Sequence, residues 1–146
     1  MRKADLLDEL RSEIGVVSDK SAGEIGRLYR FVCDILVEKV AVYQSVSIYL
    51  THSATFQCEY HRGHRLLPDE VPFGEGLFSL AAVRGGIVRE KIGTRTEVFV
   101  PFYRGHHLVG ELVVISAPGG MIDDEDVTLF CELASLFESK VKECNS

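Results

Sequence analysis

The spacing of apolar residues changes twice along this chain, and that change limits what it can fold into. At both ends they recur every three or four positions, while in the middle they alternate. Leu7, Leu10, Ile14 and Val17 predict a first helix. Ser21 to Glu24 reads as a capping box that opens a second, whose stripe Ile25, Leu28, Val32, Leu36 and Val40 runs to about 38–40. After Pro118-Gly119-Gly120, the acidic run 123–126 places negative charge where a helix dipole is positive. Val127, Phe130, Ala134, Phe137 and Val141 then form the stripe of a last helix, widened by Leu129, Leu133 and Leu136. So wide a face predicts cover on more than one side, by a sheet and by a second copy of the chain.

Between the helices, strands are predicted at 43–51, 55–61, 87–91, 96–104 and 107–116. Short turns join them, as at Arg104-Gly105-His106, so the sheet is expected to be mostly antiparallel. A short apolar helix at 75–84 lies between Gly74-Glu75-Gly76 and Gly85-Gly86. The expected class is therefore α+β and layered, with the terminal helices on one face of the sheet. The short helix and loops cover the other.

Composition narrows the function. The 146 residues suffice for one domain with its own core. Residues 1–20 form an N-terminal helix, a candidate for dimerisation, and 21–146 form the domain proper. The formal net charge is −6, and no Lys/Arg run exceeds two. Nucleic acid and anionic membrane surfaces are therefore not expected partners. No apolar run is long enough to span a bilayer, and the first ten residues are too charged for a secretory signal. Cys33, Cys58, Cys131 and Cys144 share no metal or disulfide spacing, which predicts reduced thiols and a cytoplasmic location.

"VPFGEGLFSLAAVRGG" (71–86), "IVRE" (87–90), "EVFVPFYRGHHLVGELVVISA" (97–117) and "IDDEDVTLFCELASLF" (122–137) together resemble a GAF domain over residues 21–143. The resemblance implies a six-stranded antiparallel sheet, paired terminal helices on one face and a ligand pocket on the other. It is similar in particular to the free methionine-(R)-sulfoxide reductases, stand-alone GAF proteins that work through cysteine thiolates. Here Phe78 and Glu90 take the positions of two of those cysteines, and no cysteine lies between residues 59 and 130. Glu97 matches the glutamate with which that family holds its substrate's amino group. The resemblance thus implies a sensory or regulatory domain that binds a small molecule without catalysis. An altered reductase and a ligand-free interaction module are the alternatives.

The residues themselves leave two readings of the glycine-flanked helix open. Gly76 permits a tight turn and close approach of a guest, and the N–H groups of Leu77, Phe78 and Ser79 suit a small anion or carboxylate. Alternatively the glycines only turn the chain and the apolar residues fill a closed core. Strand alternation puts Glu97 and Phe99 on one face, and Tyr49, Phe56 and Tyr60 are candidate aromatic walls. The expected ligand is amino-acid-like or a small anion. No cofactor is expected. Cys58, His61 and His64 form a metal-like cluster, but Cys58 and His61 have opposite strand parity and should leave opposite faces, so no metal site is expected.

Overall fold

Helices form where apolar residues recur every three or four positions. In the computed structural model, which describes residues 2–21 and 23–144, α1 spans Lys3–Lys20, α2 Ile25–Lys39, α3 Gly76–Arg84 and α4 Asp124–Cys144. Ser21 closes α1 instead of opening α2. Its hydroxyl donates to the Val17 carbonyl (2.6 Å), and the N-cap of α2, Glu24, makes no side-chain cap bond. The preceding helix comes so close that its last carbonyls claim the serine first. The true reciprocal cap is at α4. The Asp123 carboxylate accepts from the Glu125 and Asp126 N–H groups (3.0 and 3.3 Å), and the Asp126 carboxylate accepts from the Asp123 N–H (2.8 Å). Asp126 is fully buried and also accepts from the Tyr43 hydroxyl and the Lys3 ammonium.

The strands are β1 Tyr43–His52, β2 Thr55–Gly63, β3 Glu70–Pro72, β4 Val88–Ile92, β5 Arg95–Arg104 and β6 His107–Ser116. They make one sheet in the order β3-β2-β1-β6-β5-β4, with every neighbouring pair antiparallel. At Gly110 a Cβ would collide with the Tyr49 carbonyl oxygen, so glycine alone lets β6 lie this close to β1.

Strand alternation splits the core in two. Val46, Ile48, Val98, Val100, Phe102, Leu112 and Val114 face the long helices. Tyr49, Phe56, Phe99, Val113 and Ile115 face α3. The broad apolar face of α4 is covered within the chain. Phe137 meets Phe102 of β5 and Tyr29 of α2 (ring centroids 5.2 and 5.1 Å), and α1 lies alongside, with Arg11 held by Glu132 (2.9 Å). No helix among the described residues is long and apolar enough to cross a membrane.

One irregularity moves side chains between faces. Tyr60 pairs with Ile48 and Cys58 with Tyr49, so Glu59 is an extra residue in β2. The bulge turns Tyr60 towards the long helices, where its hydroxyl accepts from Arg30 (3.2 Å). It also brings His61 onto the face that Cys58 occupies, correcting the opposite-parity expectation. Both ring nitrogens of His61 are engaged, by the Ser47 hydroxyl (2.8 Å) and the Gly63 carbonyl (2.9 Å). Among the described residues no group of three or more His, Cys, Asp or Glu could hold a metal.

Candidate functional site

The approach to α3 requires glycine for its backbone angles. Gly74 and Gly76 have φ of 92° and 67°, in the left-handed region that side chains disfavour. Nothing lies within 4 Å of a Cβ built at either, so they border open space and do not clamp a close contact. Gly85, also left-handed, ends the helix with its N–H on the Ala81 carbonyl (2.9 Å). The result is a two-turn helix lying across the sheet. Its inner face carries Phe78 and Ala81, and its outer face leaves Leu80 and Val83 exposed.

Phe78 is the centre of this side of the molecule. Only 3% exposed, its ring lies 4.6 Å from Tyr49, 5.2 Å from Phe56 and 4.9 Å from Phe99. Beside it remains a cavity of roughly 380 Å³, lined by the first turn of α3, by Leu67, Pro68 and Val71, by Ile92 at the tip of β4, and by Glu97 and Phe99 of β5. The Tyr49 hydroxyl donates to the Pro68 carbonyl (2.7 Å) and so fixes the loop that forms one wall.

Two carboxylates look onto this cavity. Glu75 stands at its rim, and Glu97 is half-buried beside Phe99. Desolvation pushes the Glu97 carboxyl above its ordinary pKa, against the pull of Arg95. Glu97 makes no hydrogen bond or ion pair among the described residues. A third carboxyl lies on the same face of the sheet. Glu111 is 0% exposed, and neither of its oxygens has a hydrogen-bond partner among the described residues. Burial raises its pKa to about 9, so at neutral pH it carries a proton.

Of the residues singled out in the sequence, the structure gathers Gly76, Leu77, Phe78, Glu97 and Phe99 around the cavity. Tyr49 and Phe56 stand behind Phe78. Ser79 is turned back on its own loop, where its hydroxyl accepts from the Gly74 N–H (2.7 Å). Tyr60 is on the opposite face of the sheet. The loop wall, Glu75, Ile92 and Glu111 were not singled out, although Glu111 breaks an otherwise apolar strand and was visible as such. Cys58 reaches the edge of this cluster alone. All four cysteines are free, and burial raises the Cys58 thiol pKa, which disfavours the reactive thiolate.

No family model and no curated protein matches the sequence. Solved structures do match. The free methionine-R-sulfoxide reductase from Neisseria meningitidis, solved with its substrate, aligns over 99% of this chain and 93% of its own, at 22% identity and a TM-score of 0.87. The type II free methionine-R-sulfoxide reductase from Thermoplasma acidophilum aligns over 84% and 95%, at 25% identity and 0.72. The GAF domain of a phosphoenolpyruvate-protein phosphotransferase from Coxiella burnetii aligns over 99% and 97%, at 14% identity and 0.81. Reductases and a domain of a phosphotransferase thus share this architecture. With its six-stranded antiparallel sheet, helical layer and short helix over the opposite face, the chain has the GAF-domain fold.

Proposed function

We propose that this chain is a sensory domain that binds a small molecule carrying an ammonium group and does not transform it. The observation that carries the reading is the cavity at the start of α3, apolar over most of its lining and bearing two carboxylates, one half-buried and in no hydrogen bond or ion pair among the described residues. A half-buried carboxylate gains most from a cation that reaches it out of water. The same two charges repel an anion, so the helix N-terminus loses its appeal as an anion site and the amino-acid-like alternative gains. The four free thiols fit a reducing, cytoplasmic setting. The signal would pass to a partner or a second copy through the terminal helices.

Retained reductase activity is the second reading, favoured by the fold shared with free methionine-R-sulfoxide reductases. It is opposed by chemistry. Reduction of a sulfoxide needs an attacking thiolate and a second thiol to resolve it, and here Phe78 fills the centre of the site. A thermal-shift screen of amino acids, their sulfoxides and simple alkylamines tests the first reading. At a hundred times the dissociation constant a ligand adds about 2.7 kcal/mol of stability. The shift should vanish in Glu97→Gln. No shift from any amine, or thiol-dependent turnover of free methionine sulfoxide, would overturn it.

A further inference from the structure

The buried, unpartnered Glu111 calls for an explanation, because native proteins rarely leave such a group without one. It lies on the ligand-facing side of β6, in line with Val113 and Ile115, and pairs across the strands with Tyr49 of β1 and Pro101 of β5. Glu97 occupies the same face of β5, four residues from Pro101. Strand geometry places the two glutamates ~14 Å apart at their Cα atoms. The floor between them is Phe99 and Val113, paired across β5 and β6, while Tyr49 stands on the far side of Glu111, and Phe78 is seated on Phe99 and Tyr49.

We propose that Glu97 and Glu111 are the two ends of one elongated site, closed at rest by Phe78, whose ligand is a linear aliphatic diamine or polyamine with an ammonium group for each carboxyl. The inference rests on the cationic reading of the cavity and extends it inward. Methylene chains suit this apolar floor, and ammonium groups are drawn to the aromatic faces of Phe99 and, beside Glu111, Tyr49 as well as to carboxylates. The plug can move. Left-handed glycines precede and follow α3, its outer face is uncovered, with Val83 87% exposed, and few bonds hold it. The Tyr103 hydroxyl donates to the Ala82 carbonyl (3.0 Å), and Gly74 is tied to Ser79 within the approach loop.

Around Glu111 the titratable neighbours are Tyr49 from β1 and Tyr103 from β5. α3 presents Phe78, Ala81 and Ala82 to this side and adds no charge, its Arg84 being exposed and turned to the Ile87 carbonyl. An ammonium arriving at Glu111 therefore makes an ion pair only if the carboxyl gives up its proton. That proton passes to solvent.

Titration calorimetry on the full chain at pH 7.5, with octylamine and 1,8-diaminooctane in buffers of different ionisation enthalpy, tests this. The diamine should bind at least tenfold more tightly than the monoamine and release about one proton, while the monoamine releases none. Glu111→Gln should lose both the preference for the diamine and the proton release, whereas Glu97→Gln should weaken both amines. Equal affinity for the two amines, or no proton release from the wild-type chain, would overturn the elongated site while leaving the cavity reading intact. Failure of both amines to bind would remove the cationic reading itself and this inference with it. The wild-type proton count depends on no variant, so a poorly folding substitution cannot obscure the answer.

Discussion

Glu111 makes the stability of this domain depend on pH in an unusual direction. Its folded pKa is about 9, far above the ordinary carboxyl value near 4.3 expected in the unfolded chain. The folded state therefore holds a proton that the unfolded state gives up. The contribution is fully present below about pH 4 and is lost as pH rises through about 9, at up to about 1.4 kcal/mol per pH unit. Urea midpoints at pH 5.5 and 8 should fall with pH in the wild type, and that slope should flatten in Glu111→Gln. Equal slopes would show that the carboxyl finds a partner in solution. Parity along 96–104 was enough to place Glu97 and Phe99 together, and the charge in the apolar run around Glu111 could be read as well. That its oxygens are unpartnered could not, because this depends on three strands and a helix distant in sequence. Tyr60 was misplaced for a similar reason: the bulge at Glu59 leaves no mark in the alternation of residues 55–61.

At the level of elements, α3 and the start of α4 behave oppositely. α3 has two turns, an uncovered outer face and glycine on either side, so it should open locally without global unfolding. Its amides should exchange with solvent faster than those of β1 and β6, and an amine ligand should slow them. Uniform protection across α3, β1 and β6 would contradict this. Phe78→Ala removes a ring in contact with three others and should cost about 3 kcal/mol in chemical denaturation. The α4 start is instead locked by Asp126, buried with three donors. Asp126→Ala should cost about 2–3 kcal/mol, measured by the same denaturation, because it strands the buried Tyr43 hydroxyl and removes a helix cap. The sequence announced both helices through their glycine and acidic flanks. It hid β3, three residues ending in Pro72 and paired only with β2, because so short an edge strand has no period to read.

For the whole molecule, the layer order followed from the change of period alone, and the sheet order did not, since alternation cannot say which strands are neighbours. The wide stripe of α4 suggested a second copy, yet α1, α2 and the sheet already cover it. The apolar surface left on the helical layer is a groove between α1 and α2, with Val16 53% exposed near Phe31 and Ile35. Glu13, Asp34, Glu38 and Lys39 border it, and Arg62 pairs with Asp34 and Glu38. Each copy joined there would bring an excess of negative charge, so the proposed homodimer should strengthen with salt as screening shortens the reach of that repulsion. Sedimentation at 50 and 500 mM NaCl should show the dimer fraction rising, and a monomer at micromolar concentration in both would exclude it. α1 and α4 run side by side in the same direction, with Lys3 beside Asp123 and Arg11 beside Glu132. Both helices start at one corner, and the last turn of α4 lies ~30 Å away. A polypeptide joined ahead of α1 would thus meet the domain at one pole, and one joined behind α4 would depart from the other. In a longer protein this domain would be threaded in series, a link in the line of tension and not a side branch hung from it.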